Sequence, residues 1–188
     1  MSCKIIVVDN FYSNPDEVRN YALTCKYYNT KYFCKNDSNF PGLRTETEYA
    51  QKDIQDMFQK IVINFGGKIS DFQTPHGDSG RFQLTTANNT SWVHKDGTNW
   101  GGIIYLTPNP PGNSGTGFFK PTIDIDKETD KNKYANMDNW QLVDKVENIY
   151  NRLVLFRGDE LYHRSLDYFG DNIYNGRLTH VFFFNTEF

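Results

Sequence analysis

Residues 92–107 read WVHKDGTNWGGIIYLT, and the fold that we expect follows mainly from this segment. The apolar pair Trp92-Val93 leads into a His-x-Asp motif, a polar turn follows, and residues 102–106 form an apolar run. Antiparallel sandwiches and barrels are typically built from such short runs separated by Gly, Pro and Asn. Strands are predicted on this basis at 81–86, 91–94, 101–107, 116–119, 152–157 and 177–184.

Two imidazoles and one carboxylate in this region form a candidate metal-binding set. His94 and Asp96 are two residues apart, so on an extended strand both side chains point to the same face. His163 follows the apolar strand at 152–157 and supplies a second imidazole. Two nitrogen ligands and one oxygen ligand suit Fe(II), and they also suit Mn(II) and Zn(II).

A second His-x-Asp motif, His76 and Asp78, competes with the first. It lies in a Pro- and Gly-rich turn with no apolar run on its N-terminal side, whereas His94 lies between two apolar runs. We therefore favour the pair at His94 and Asp96, and we expect His76 in a loop near the entrance to the site.

Arg177 lies fourteen residues after His163, on the last predicted strand. Strand alternation puts Arg177 and Thr179 on one face and His180 on the other, so we expect His180 to be structural. An inward-facing Arg needs an anionic partner, and a dicarboxylate would suit its planar guanidinium. Tyr105 could donate its hydroxyl to the same carboxylate. The alternative for Arg177 is an internal salt bridge to a strand acid.

The N-terminal part predicts one strand, at 4–8, and two helices. Asn14 is a typical N-cap, and Pro15 suits the first helical position. An apolar stripe at helical spacing predicts the second helix, followed by Gly66-Gly67. We expect a long loop at 27–48, with short strands within it as an alternative, and a further helix capped by Asp138 that extends to Tyr150. The stripe of the second helix comprises Ile54, Met57, Phe58, Ile61, Val62 and Phe65.

The composition is that of a globular enzyme. The 188 residues include 16% aromatics and carry a net charge of −3, which argues against nucleic acid or an anionic membrane as the partner. We expect one domain over 1–188, with N-terminal helical support at 1–67 and a β core at about 68–188. Three cysteines without CxxC spacing indicate free thiols, although a disulfide or a fourth metal ligand is an alternative. No apolar run suits a signal peptide or a membrane span, so we expect a cytoplasmic protein.

Taken in order, these segments resemble the Fe(II)/2-oxoglutarate-dependent dioxygenases, specifically the prolyl-4-hydroxylase-like branch. His94-Lys95-Asp96 with residues 104–107 is similar to the HxD-turn-"YLN" segment of that branch, and residues 115–119 resemble its "GGxxxF" strand. Residues 151–163 and 177–184 resemble its C-terminal half, so the similarity covers about 81–188. The start at 7–11 is typical of small bacterial or phage-encoded members.

The resemblance implies a mainly β fold with flanking helices (α+β): a double-stranded β-helix, of the jelly-roll or cupin-like type, with the N-terminal helices packed outside. His94, Asp96 and His163 would bind Fe(II), and 2-oxoglutarate would chelate the metal. The expected reaction uses O2, releases succinate and CO2, and hydroxylates a peptidyl side chain, prolyl included, or a small molecule. Because Asp96 is present, hydroxylation is favoured over halogenation. The distal carboxylate of 2-oxoglutarate would be held by Arg177, Thr179 and Tyr105.

The chain departs from the pattern of this branch in two places, and two other classes of protein are alternatives to the oxygenase. Prolyl hydroxylases often carry Lys where this chain has Arg177 with Thr179, and residues 165–176 are extra. A non-catalytic jelly-roll module could bind carbohydrate or peptide through Trp92 and Trp100. A cupin-like metalloenzyme would normally use more His and a Glu. The identity of the substrate would depend on the loops at 28–48, 74–80 and 108–139. Within the last of these, residues 120–139 form either a solvated rim or a lid.

Overall fold

The computed structural model describes residues 3–29, 40–46, 49, 52–65, 67–72, 79–125 and 134–187. The helices are α1 (Pro15–Thr24) and α2 (Lys52–Val62), with one 3-10 turn at Met137–Asn139. The strands are β1 (Ile5–Val8), β2 (Tyr27–Asn29), β3 (Leu43–Thr45), β4 (Lys68–Asp71), β5 (Arg81–Thr85), β6 (Trp100–Tyr105), β7 (Thr116–Pro121), β8 (Trp140–Val146), β9 (Leu153–Arg157), β10 (Tyr162–Ser165) and β11 (Arg177–Glu187).

Two antiparallel sheets face each other. The large sheet has the order β1-β9-β6-β11-β5-β3-β2, with β4 paired to the end of β11, and the small sheet has the order β10-β7-β8. A buried apolar cluster joins them, and the rings of Phe118 on β7 and Phe156 on β9 are 5.5 Å apart within it. The predicted mainly β architecture is confirmed, and the strands β1 to β3 extend the large sheet from the N-terminal part of the chain.

The two helices pack on the outer side of the large sheet, as expected. α1 begins at the Asn14 cap, whose Oδ1 accepts from the backbone N–H of Glu17 at 3.4 Å, and Pro15 follows at the first position. Because the apolar side chains of α2 recur every three to four residues, one face is buried, and Phe58 and Val62 are fully covered. These helices meet Phe182 and Phe184 of β11 in the main core.

β11 divides the interior because its side chains alternate. Leu178, Phe182 and Phe184 point to the helices and belong to the main core. The residues between them point to the opposite side of the sheet, between the two sheets, where they line a cavity. The cavity-facing residues of β11 are Arg177, Thr179, Val181 and Phe183.

Two secondary-structure predictions are wrong. The helix expected from Asp138 to Tyr150 is instead the strand β8, which pairs with β7 along its whole length, since Trp140 and Val146 suit a strand as well as a helix. The expected strand at 91–94 is an irregular segment that forms only one bridge, between His94 and His163. The Trp92 carbonyl accepts a bond from the ring of His94, so it is not available to extend that ladder.

Cys3 is a free thiol, as predicted, whereas Cys34 lies outside the described part of the chain. Neither described helix is long and apolar enough to cross a bilayer, since the longer one has 11 residues.

Candidate metal centre and its cavity

The backbone brings the two candidate histidine ligands together as a directly hydrogen-bonded pair. The N–H of His94 donates to the carbonyl of His163 at 3.1 Å, and the N–H of His163 donates to the carbonyl of His94 at 2.8 Å. The imidazole centroids are 4.5 Å apart. This antiparallel bridge fixes the separation of two residues that are distant in sequence.

Both imidazoles are held in one tautomer. Nδ1 of His94 is 3.1 Å from the carbonyl oxygen of Trp92, and Nδ1 of His163 is 3.0 Å from that of Leu161. Because a carbonyl oxygen only accepts, Nδ1 carries the proton in the neutral form of each ring, and in that form Nε2 keeps its lone pair. A histidine that binds a metal through one ring nitrogen commonly donates a hydrogen bond from the other nitrogen to a group such as a backbone carbonyl.

Asp96 completes the group from between the two imidazoles. Its Oδ1 is 3.8 Å from Nε2 of His94, and its Oδ2 is 3.6 Å from Nε2 of His163. Two ligands of one ion, each about 2.1 Å from it, lie about 3 to 4 Å apart. Oδ2 is buried and has no hydrogen-bond partner among the described residues. These atoms fit a divalent cation.

Two glycines make room for this carboxylate. A Cβ on Gly101 would lie 2.7 Å from Oδ2 of Asp96, and a Cβ on Gly158 would lie 2.7 Å from the same oxygen. The backbone N–H of Asp96 donates to the Gly158 carbonyl at 2.8 Å, which ties the ligand segment to the end of β9. The sequence reasoning missed both glycines, although Gly158 follows an apolar strand directly.

Electrostatics keep His94 neutral. Burial lowers the pKa of His94 to about 4, electrostatic repulsion from His163 and Arg44 acts in the same direction, and Asp96 opposes them. At neutral pH the His94 ring is therefore uncharged and can donate an electron pair to a metal ion, as metal ligation requires.

A cavity of about 470 Å³ opens beside this group, between the two sheets. The three candidate ligands line it together with residues of both sheets, among them Gln83, Thr116 and Arg177. Its size is that of a small-molecule site.

Arg177 lies in the cavity wall with part of its guanidinium unpaired. The side chain is 3% exposed, and Nε donates to the carbonyl of Ser114 at 3.2 Å. Nη2 is buried and has no hydrogen-bond partner within the described part of the chain. A buried cationic group with an unused donor is costly unless a ligand completes it. The alternative for Arg177, an internal salt bridge to a strand acid, is not found among the described residues.

Thr179 and Tyr105 lie beside Arg177. Thr179 lines the cavity and is paired across the sheet with Tyr105 of β6. The Tyr105 hydroxyl is 2.7 Å from Oγ1 of Thr116, and its ring lies 5.3 Å from Cζ of Arg177. Burial raises the pKa of Tyr105, so the hydroxyl stays protonated. Thr116 lies between this hydroxyl and the cavity, and the sequence reasoning did not single it out.

His180 lies on the helix side, as strand alternation predicts. Nε2 lies 2.9 Å from the carbonyl of Gly80, so it carries the proton, and Nδ1 accepts from the hydroxyl of Tyr12 at 2.7 Å. Burial lowers the pKa of His180 to about 3. Both ring nitrogens are used, so this histidine has a structural role.

The alternative of a non-catalytic carbohydrate-binding module depends on Trp92 and Trp100, and only one of these two residues lies at an accessible surface. Trp100 is fully buried and its Nε1 donates to Thr186 Oγ1 at 3.3 Å, so it presents no surface, whereas Trp92 lines the cavity. His76 and Asp78 lie outside the described residues. Within those residues, the only group of potential metal ligands is His94, Asp96 and His163, and no cysteine joins it.

Comparison with known proteins finds similarity in structure only. No protein-family model and no curated protein sequence matches. HygX from Streptomyces hygroscopicus, solved with nickel, 2-oxoglutarate and hygromycin B bound, has a TM-score of 0.68 at 10% identity, and the match covers 100% of this chain and 84% of that chain.

Two prolyl hydroxylases are also similar. The enzyme from Trichoplax adhaerens in complex with a hypoxia inducible factor peptide fragment has a TM-score of 0.57 at 13% identity, and the match covers 96% of this chain and 83% of that one. A prolyl-4-hydroxylase from Pseudomonas putida has a TM-score of 0.54 at 13% identity, with 98% and 94% covered. The fold is thus the double-stranded β-helix of the 2-oxoglutarate-dependent oxygenases. Function still depends on the site residues.

Proposed function

We propose that this protein is an Fe(II)- and 2-oxoglutarate-dependent oxygenase that hydroxylates a peptidyl side chain, prolyl included, or a small molecule. One observation carries the proposal: His94, Asp96 and His163 converge at the same cavity as Nη2 of Arg177, which has no hydrogen-bond partner among the described residues. A metal site alone would suit many proteins. A metal site with a buried carboxylate-binding cation beside it suits a chelating dicarboxylate.

The ligand residues would each contribute one atom. His94 and His163 offer Nε2, since Nδ1 of each is committed to a carbonyl, and Asp96 offers Oδ2, which has no hydrogen-bond partner in the part of the chain that the structure describes. Bound Fe(II) with 2-oxoglutarate supplies the oxidative chemistry, in which O2 is consumed, succinate and CO2 are released and one oxygen atom enters a C–H bond.

The other site residues would hold the co-substrate and limit access of water. Arg177 would bind the distal carboxylate through Nη2, and Thr179 would add its hydroxyl from the same face. The Tyr105 hydroxyl would donate a hydrogen bond to the same carboxylate, either directly or through the hydroxyl of Thr116. Since Arg177 and Tyr105 are almost completely buried, their interactions with a carboxylate would be strong.

The proposed substrates follow the two kinds of ligand in the similar structures, a peptide fragment and hygromycin B. A cytoplasmic location is part of the proposal, because Cys3 is a free thiol. A fractionation of the native source with a cytoplasmic marker tests that location.

Anaerobic titration with Fe(II) and then 2-oxoglutarate tests the chelate, read from its visible metal-to-ligand charge-transfer band. We expect the band in the wild-type protein, its loss in His94→Ala and a weaker response to 2-oxoglutarate in Arg177→Leu. His76→Ala, which removes the competing motif, should leave the band unchanged. A folded, iron-loaded wild-type protein without the band would contradict the proposal.

A further inference from the structure

Buried polar atoms without a hydrogen-bond partner are concentrated in the wall of the cavity. Among the described residues, seven have such an atom in the side chain, and four of these seven also line the cavity: Ser91, Asp96, Tyr168 and Arg177. A buried polar atom without a partner costs free energy, and proteins contain few of them. Their concentration around one cavity therefore indicates atoms that a bound molecule completes.

Two of these four residues have a role in the proposed function, and two do not. The metal ion would complete Oδ2 of Asp96, and the distal carboxylate of 2-oxoglutarate would complete Nη2 of Arg177. The hydroxyls of Ser91 and Tyr168 are used by neither. The groups that remain for a substrate are thus two neutral hydroxyls.

The backbone holds Ser91 and Tyr168 on the same side of the metal centre. The bridge between the two ligand histidines is antiparallel, so the chain before the first and the chain after the second run alongside each other. A second backbone bond, from the N–H of Ala87 to the carbonyl of Gly170 at 2.9 Å, joins the same two segments. Ser91 and Tyr168 lie between these two connections, one on each segment. Two residues that are distant in sequence therefore contribute to the same part of the cavity wall.

Trp92, next to Ser91, adds an aromatic surface to this side of the cavity. Its ring centroid is 6.1 Å from that of His94, and the residue is half-buried and lines the cavity. The indole ring offers a flat apolar face without charge, and a hydroxyl can both donate and accept a hydrogen bond. This side of the cavity therefore suits a neutral ligand with hydroxyls at its edge and C–H groups on its face.

We propose that Ser91 and Tyr168 are specificity-determining residues that bind hydroxyls of a neutral polyhydroxylated ring, of the sugar or cyclitol type, and that Trp92 packs against this ring. The assignment rests on the proposed function and narrows its substrate to a small molecule. The cavity of about 470 Å³, part of which 2-oxoglutarate would occupy, suits a ligand of that size.

Matched compounds test the class of ligand. The holoprotein, loaded with Ni(II) and saturating 2-oxoglutarate so that no turnover occurs, is titrated with myo-inositol, methyl α-D-glucopyranoside, cyclohexanol and N-acetylproline methylamide, followed by NMR. We expect at least one of the two polyols to bind about tenfold tighter than cyclohexanol, because it gains hydrogen bonds to two otherwise unpaired hydroxyls. Polyols that do not bind, or bind no tighter than cyclohexanol, overturn the assignment. Tighter binding of the proline amide than of either polyol does so too.

Variants that remove a single hydroxyl locate the effect. Ser91→Ala and Tyr168→Phe should each weaken binding of the polyol about fivefold, since each deletes one hydrogen bond to it. Tyr174→Phe is the matched control and should have no effect, because this residue is 69% exposed and lies outside the described lining of the cavity. Unchanged affinity for the polyol in folded Ser91→Ala or Tyr168→Phe overturns the role of the residue concerned.

Stability distinguishes this role from a structural one. Because neither hydroxyl has a partner among the described residues, Ser91→Ala and Tyr168→Phe should leave the urea midpoint of the metal-free protein unchanged or raise it. Tyr27→Phe should lower it, since the Tyr27 hydroxyl donates to the carbonyl of Ala22 at 3.1 Å. Midpoints lowered as much as in Tyr27→Phe would assign both hydroxyls a structural role and overturn the assignment.

Binding of 2-oxoglutarate, measured in the same samples, separates the two proposals. Its absence in the wild-type protein contradicts the proposed function, whereas intact binding without preference for a polyol contradicts only the role of Ser91 and Tyr168.

Discussion

The two sides of the large sheet treat their polar side chains differently, and β11 shows both. On the helix side, His180 is enclosed by aromatic rings and both its nitrogens have partners, Tyr12 and Gly80. On the cavity side, Arg177 is as deeply buried, but Nη2 has no partner among the described residues. Burial alone therefore does not distinguish a structural polar residue from a functional one. The unused donor does, because a protein rarely buries one without a ligand to complete it.

The largest effect should come from the packing on the helix side. Phe182→Ala removes a fully buried ring that lies 4.7 Å from that of Phe58, and we expect a loss of about 3–5 kcal/mol in the free energy of unfolding. Phe183→Ala, the adjacent but partly exposed residue on the cavity side, should cost roughly 1 kcal/mol. Urea denaturation of both variants measures the difference. Equal losses would show that the two faces are packed alike.

On the cavity side, stability and ligand binding should separate. Arg177→Leu should weaken 2-oxoglutarate binding by about 2 kcal/mol or more, roughly thirtyfold, because the dicarboxylate loses its buried cation. The free energy of unfolding without ligand should be unchanged or higher, since an incompletely paired buried charge is removed. Calorimetric titration and urea denaturation of the same sample measure both. A strongly destabilised variant would assign Arg177 a structural role instead.

A smaller effect is expected at the glycine that makes room for Asp96. Gly158→Ala would introduce a Cβ 2.7 Å from Oδ2 of Asp96 and displace the carboxylate, weakening metal binding by about 10- to 100-fold. Gly97→Ala is the matched control, because a Cβ there meets no atom within 4 Å. Metal titration of both variants checks this, and equal affinities would separate Asp96 from the metal site.

The smallest effect is the pH dependence contributed by the helix side. Burial lowers the pKa of His180 from 6.5 to about 3, so below about pH 6.5 the unfolded chain binds a proton that the folded one does not. Stability should therefore fall with decreasing pH by up to about 1.4 kcal/mol per unit from this residue. The slope of stability against pH should be shallower in the double variant Tyr12→Phe/His180→Leu, which has no histidine to titrate at this position, than in the single variant Tyr12→Phe. Urea midpoints of the metal-free proteins between about pH 7 and about pH 5 measure it, and parallel slopes would contradict the assignment.

Patterns with a short period predicted the fold well. The apolar stripe of α2, the cap at Asn14 and the alternation along β11 each describe how neighbouring residues share a face. The same reasoning failed at residues 138–150, where helical spacing and strand character coincide and pairing with β7 decides the outcome. It also failed at 91–94, where a single bridge replaces a ladder.

The amino-acid sequence alone specifies which chemical groups the site contains and the faces on which they lie: imidazoles and a carboxylate, and Arg177 with Thr179 opposite His180. Tertiary structure decided which of them meet. It joined His94 to His163 through mutual backbone bonds and enclosed Asp96 between Gly101 and Gly158. The physical reason is that alternation is a local property of the backbone, whereas register between distant strands depends on how the whole interior packs.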